Sequence, residues 1–157
     1  MKTHLIKAGV VLMAAVGFAS AAVAADATMP SKVMLTDDLT VEKPLTGVAG
    51  DAAAGREWFS NRKLGNCLAC HMNVDLASEP FHGEVGPTLD GAGDRWEPAE
   101  LRAIIVNPKK VFGDQTIMPA FYRDGGGVRI SKKFQGKTIL TAQQVEDIIA
   151  YVSTLKE

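Results

Sequence analysis

The chain has very little cysteine: of 157 residues, only Cys67 and Cys70 are thiols. Histidine is almost as scarce, with His4, His71 and His82 making up the whole supply. A structural zinc site needs about four ligands at C-x₂₋₄-C … H-x₃₋₅-H spacing, and His4 and His82 do not supply them. Neither sign of charge is in excess, the formal net charge being −1, so the electrostatic footprint of a nucleic-acid binder is missing. Strand signals are weak, and no βαβ pattern surrounds the cysteines. There are no internal repeats, no low-complexity segments and no Ser/His/Asp arrangement. Beyond the N-terminal region, no stretch is apolar enough to span a bilayer.

What is present is concentrated in one pentapeptide. Cys67-Leu68-Ala69-Cys70-His71 reads C-x-x-C-H, the attachment pattern of a c-type haem. The spacing has a chemical reason. Two thiols about one helical turn apart reach the two vinyl groups on one porphyrin edge and form thioethers, and the next residue sets an imidazole nitrogen under the iron. A bare C-x-x-C also admits a redox dithiol or a simple disulfide, and those readings stay open on spacing alone. With haem attached, both cysteines are consumed and no thiol nucleophile remains.

The N-terminus points to export. Lys2 and Lys7 precede an apolar run from Ala8 to Phe18, and Ala22-Val23-Ala24-Ala25 precedes Asp26. That is the charged, apolar and small-residue order of a secretory signal peptide over residues 1–25, with cleavage expected after Ala24 or Ala25. In a bacterial setting it directs the mature chain to the periplasm, an oxidising compartment, with no membrane span after cleavage.

Three regions follow from the pattern: the signal peptide, an extended arm over residues 26–50, and one domain over residues 51–157. The arm holds Pro30, Pro44, Gly47 and Gly50 without a sustained period. Asp51 is placed to cap a first helix through Phe59, the chain ending that element near Gly65. The cysteine motif sits on a short helical turn, and residues 73–95 read as loop. Pro98 opens a helix with Leu101, Ile104 and Ile105 on one face, which must stop by Asn107 because Pro108 disfavours helix in the residue before it. Thr141 and Gln144 form a capping-box pattern, and the last helix is expected to reach about Leu155. The class is all-α, about four helices around a covalently bound haem, with long loops.

The iron needs a second axial group or is left open. Met29, Met34, Met72, Met118 and His82 are the candidates. Met72 adjoins His71 and cannot reach across the ring, while Met29 and Met34 precede any helix. Met118 lies in an interhelical loop, stiffened by Pro119, and a soft thioether there favours reduced iron and raises the potential. The bland reading of Met118 is a core gap-filler, and that of His82 a surface-loop histidine. Downstream of the motif, the Pro87 carbonyl is the expected acceptor for the second ring N–H of His71, although Gly86-Pro87 also reads as a simple turn.

Taken together, Gly55, Phe59, Cys67 to His71, Gly86-Pro87, Met118-Pro119 and Tyr151 resemble a class I cytochrome c over about residues 51–157. In that family the first and last helices cross closely, and residues like Gly55, Phe59 and Tyr151 permit it. A narrower resemblance rests on Gly83 to Gly91, Asp94-Arg95-Trp96, Leu101 to Pro108 and Thr116 to Tyr122, which are similar to the X subunits of SoxAX sulfur-oxidation cytochromes. The resemblance implies one haem c held by Cys67 and Cys70, with His71 and Met118 on the iron. It implies no catalytic residue on this chain and a SoxA-like haem-bearing catalytic partner. The complex would act as an L-cysteine S-thiosulfotransferase, joining thiosulfate to a cysteine of a sulfur-carrier protein and passing electrons to a downstream acceptor. Two other readings stand beside it: a free-standing monohaem carrier, and a sensing haem protein with an open iron. The arm is a candidate to wrap a neighbouring subunit, and Arg129, Lys132, Lys133 and Lys137 form a basic run suited to docking an acidic surface.

Overall fold

A computed structural model describes residues 27–125 and 130–157. The signal-peptide reading over 1–25 lies outside the described residues, as do Gly126, Gly127 and Arg129. The α-helices are α1 (Ala52–Ser60), α2 (Ala92–Arg95), α3 (Pro98–Val106), α4 (Pro108–Phe112) and α5 (Ala142–Val152). Short 3-10 turns intervene, and no strand occurs among the described residues.

Asp51 opens α1 as its sequence position predicts. Its carboxylate accepts from the Ala53 and Ala54 N–H groups at 2.8 and 3.1 Å, satisfying donors that a helix start leaves free. At 9 residues this helix is too short to persist alone, so its stability comes from α5. The two helices touch at Gly55, where a Cβ would overlap the Asp147 carbonyl. Below the contact, Phe59 meets Tyr151 edge-to-face with centroids 5.6 Å apart, a geometry worth about 0.5–1.5 kcal/mol beyond its burial. The Asp147 carboxylate then accepts from Asp51 N, Trp58 Nε1 and Gln143 Nε2 at 3.0, 3.1 and 2.9 Å. The α5 start carries the expected Thr141–Gln144 capping box, and Val145, Ile148, Ile149 and Val152 are buried.

Helix α3 closes the other side of α5 through Leu101, Ile105 and Val106. It ends at Asn107 (φ −153°, ψ 79°), as Pro108 requires. The sequence reading missed that Pro108 immediately begins α4: proline suits a first helical position because its missing N–H has no partner there anyway. The 73–95 loop also holds more order than its composition suggests. A 3-10 turn covers Val74–Leu76, where the Asn73 side chain accepts from Asp75 N at 3.0 Å, and α2 adds one helical turn. The last helix stops at Val152, and the chain continues as a turn that still buries Leu155.

The arm is extended but packed onto its own domain. Val41 and Leu45 are core residues, 5% and 1% exposed. Arg102 of α3 grips Glu146 of α5 through Nε and Nη2 at 2.8 and 3.0 Å and reaches the Val41 carbonyl with Nη1 at 2.7 Å. Leu45 N donates to the same Glu146 carboxylate at 2.8 Å. A buried charge pair is tolerated only when its remaining hydrogen-bonding capacity is met, and here the arm meets it. These arm residues are therefore committed within the chain rather than free to wrap a neighbour.

Candidate functional site

Asn66, in left-handed backbone with φ 48°, turns the chain into a 3-10 segment over Cys67–Ala69. The Cys70 and His71 N–H groups both donate to the Cys67 carbonyl, at 3.1 and 2.9 Å. One tight turn therefore carries both thiols and the imidazole. The thiols are unpaired. In the folded chain burial pushes the Cys67 thiol up to about 12, which favours its neutral form there.

A second segment lies along this turn and fixes the ring. Gly83 N, Gly86 N and Leu89 N donate to the carbonyls of Leu68, Cys70 and Met72 at 3.0, 2.8 and 3.0 Å. Gly86 lies so close to His71 that a Cβ on it would overlap the imidazole. His71 Nδ1 stands 2.8 Å from the Pro87 carbonyl oxygen. A carbonyl oxygen only accepts, so Nδ1 carries the proton and the Nε2 lone pair is left for a metal. The segment is itself braced: Arg95 of α2 donates to the Asp90 and Thr88 carbonyls at 2.7 and 3.2 Å, and Asp90 Oδ1 accepts from Val74 N at 2.9 Å.

The chain leaving His71 is anchored by a polar network. Asn73, wholly buried, donates to the Tyr151 hydroxyl at 2.7 Å, which donates to Asp75 at 2.8 Å. Arg56 of α1 completes it, with Nε 2.8 Å from the same Asp75 oxygen. The hydrogen bonds from Arg56 and then Tyr151 hold the Asp75 carboxyl below its usual range. Burial, followed by the Asp75 hydrogen bond, pushes the Tyr151 phenol well above its own.

The axial candidates separate by exposure. Met34 and Met29 are 83% and 61% exposed and Met72 is 42% exposed, whereas Met118 packs against the core together with Cys67, Leu64 and Leu89. His82 is engaged elsewhere, its Nε2 donating to the Leu76 carbonyl at 2.9 Å. Met118 N lies 3.4 Å from Thr116 Oγ1, and Lys109 Nζ donates to the Thr116 carbonyl. Beyond Pro119, Phe121 N donates to the Ile105 carbonyl, and the Phe121 carbonyl accepts from Ile139 and Leu140.

This donor set fits haem c. Two unpaired thiols flank one turn, the imidazole is held in the tautomer that frees Nε2, and the ring's seat exists only because residue 86 has no Cβ. The structure brings the expected Cys67, Cys70, His71 and Pro87 together at one turn; sequence reasoning missed the Arg56–Asp75–Tyr151–Asn73 network and the Thr88–Asp90–Arg95 brace. The Asn-x-Asp pattern at 73–75 was the available signal, since asparagine caps its own backbone two residues on.

The family model for cytochrome c matches residues 52–156. Among solved structures, the chain is similar to SoxXA from P. pantotrophus, at 43% identity, covering 84% of this chain and 100% of the matched one, with a TM-score of 0.76. It is also similar to the c-type cytochrome SorU from Sinorhizobium meliloti, at 28% identity, covering 67% of this chain and 90% of that one, with a TM-score of 0.43. No curated protein matches.

Proposed function

The chain belongs to the cytochrome c family and is SoxX-like within it; from that premise we propose that it is the electron-accepting subunit of a periplasmic SoxXA-type complex. The complex couples thiosulfate to a cysteine of a sulfur-carrier protein. In that reaction an S–S bond forms between the outer sulfur of thiosulfate and the carrier thiol, the thiol loses its proton, and two electrons leave. Catalysis belongs to a SoxA-like partner bearing its own haem. Haem c, when bound, supplies this chain with a one-electron iron couple.

The residues divide the work. Cys67 and Cys70 hold the porphyrin covalently, and the His71 Nε2 and Met118 sulfur hold the iron. Pro87 fixes the His71 ring through its carbonyl and raises the ligand's basicity. The apolar residues Leu64, Leu89 and Met118 keep water from one flank of the motif, which with the thioether ligand favours the reduced state. With both thiols committed to the porphyrin, the chain keeps no thiol nucleophile of its own. No helix among the described residues is long and apolar enough to cross a membrane.

The observation that carries this reading is the likeness to SoxXA over the full matched chain at 43% identity, joined to an intact C-x-x-C-H turn with its imidazole already oriented. The test is to purify the chain from its own host and measure its native mass with haem-stained gels. A larger haem-bearing chain staying attached, with thiosulfate-dependent reduction, is the expected result. Elution alone at the monomer mass, without that reduction, makes it a mobile carrier instead. In the same preparation Met118→Ala is expected to lower the reduction potential and open the iron to carbon monoxide. A variant with parental potential and no such reactivity removes Met118 as ligand.

A further inference from the structure

The stretch Thr116 to Tyr122 is short, lacks regular structure and carries Met118 at its middle. Its upstream end is held by Lys109 at the Thr116 carbonyl, and its downstream end by the Phe121 backbone bonds to Ile105, Ile139 and Leu140. One further bond leaves the domain's helices altogether. The Tyr122 hydroxyl, on a side chain only 5% exposed, donates to the Thr28 carbonyl at 2.7 Å.

Thr28 is not a loose terminus. Its N–H donates to the Leu45 carbonyl at 2.7 Å, so residues 28–45 form a closed loop. The base of that loop is fixed three times over: Leu45 N to Glu146, the Val41 carbonyl to Arg102, and Val41 N to the Ala99 carbonyl at 3.0 Å. The Arg102–Glu146 pair between α3 and α5 is thereby connected, through the arm, to the residue four places beyond Met118.

We infer that the N-terminal arm is a strap whose Thr28 carbonyl, through Tyr122, positions the Met118 segment and slows its movement away from the iron. The inference rests on Met118 being the axial ligand and adds a reason for the arm to precede the cytochrome domain. Tyr122 is a positioning residue: its hydroxyl, bonded to the Thr28 carbonyl, acts through the backbone that carries the thioether. Removing the hydroxyl leaves a shielded carbonyl without its donor and frees the downstream end of the segment by the equivalent of one neutral hydrogen bond.

The test uses the full haem-loaded chain and Tyr122→Phe. Free imidazole, which enters only when the thioether swings away, is titrated while the long-wavelength thioether–iron absorption is followed. Amide exchange is read over residues 116–122 and over α1 and α5. The variant is expected to bind imidazole about fivefold more tightly, the factor belonging to a hydrogen bond of ordinary net strength, and to exchange faster by a similar factor in 116–122 only. Imidazole affinity and exchange equal to the parent's overturn the strap, as does faster exchange spread evenly over α1 and α5. If the parent itself lacks the thioether band, the ligand assignment fails, and exchange over 116–122 still decides whether the arm restrains the segment. Asp38→Asn, an exposed position of the arm, is the control and is expected to match the parent in both measurements.

Discussion

A methyl group on residue 86 would occupy the space of the His71 imidazole. Gly86→Ala therefore either displaces the ring or pushes the Pro87 carbonyl off Nδ1, and both outcomes spoil the ligand before iron arrives. The expected result is a clear fall in haem-stained product at equal protein, with the residual holoprotein showing a shifted potential. A parental haem yield and potential would mean the ring has another seat. The Asp75–Tyr151 pair makes a different prediction, about pH. Asp75 is held below its ordinary value of 3.8, so its stabilisation is present above that value and lost as pH falls through the folded value. Tyr151 is raised above 10.0, so its contribution is present below pH 10 and lost as pH rises through its folded value. Thermal unfolding should thus show a plateau between the two limbs. Asp75 is half exposed, which keeps the acid limb shallow. Asp75→Asn should flatten it further and, because that carboxylate also helps raise Tyr151, move the start of the alkaline limb to lower pH, with burial still holding the phenol above its ordinary value.

Among the elements, α3 and α5 are joined by a buried pair of charges, Arg102 and Glu146, each side chain 6% exposed. Arg102→Met leaves the Glu146 carboxylate buried with only Leu45 N for company. Breaking one side of such a pair typically costs about 3–5 kcal/mol, and the Val41 carbonyl loses its donor as well. Denaturant unfolding should show that loss, with proteolysis moving into residues 28–45; an unchanged midpoint would mean the arm holds without the pair. Helix starts were the legible part of this architecture, because Asp51 and Thr141 each announce a cap by side-chain chemistry that acts within three residues, and Pro98 suits a first helical position by its fixed φ. Helix ends and the small turns were less so. Residues 108–112 and 92–95 are too short to display a period, and Asn107 reads as a stop because the restart after it depends on tertiary support. The turn carrying both thiols and His71 was legible as a haem-attachment pattern from its spacing, which by itself left a dithiol or disulfide open. The partners of Asn73 and Asp75 were not, because Tyr151 and Arg56 come from opposite ends of the chain and are brought together by the helix crossing rather than by any local pattern.

For the molecule as a whole, weak net charge leaves partner steering to local patches. Lys133 is held in place, its Nζ donating to the Lys63 carbonyl at 2.6 Å and lying 4.3 Å from the Phe134 centroid; Lys132 and Lys137 are exposed beside it. Fixed cations of this kind act on encounter rates more than on final affinity. Reversing Lys132, Lys133 and Lys137 to glutamate should slow association with the haem-bearing partner and flatten its dependence on salt, as stopped-flow mixing at low and moderate ionic strength would read. Association rates equal to the parent's at both ionic strengths would place docking elsewhere.

The crossing of α1 by α5 carries one more consequence, for how the chain comes to be folded. Trp58 and Asp147 are joined at a sequence separation of 89, and Asp51 reaches the same carboxylate at a separation of 96. Contacts of that separation form late, because the whole loop between them must close first. A chain that emerges N-terminus first therefore presents its cysteine pair well before α5 arrives to pack on α1. There is an interval in which Cys67 and Cys70 are accessible to attachment machinery, and it closes when the final helix arrives. A product truncated ahead of α5 would remain in that open interval, its thiols exposed to oxidation and its first helix without a neighbour.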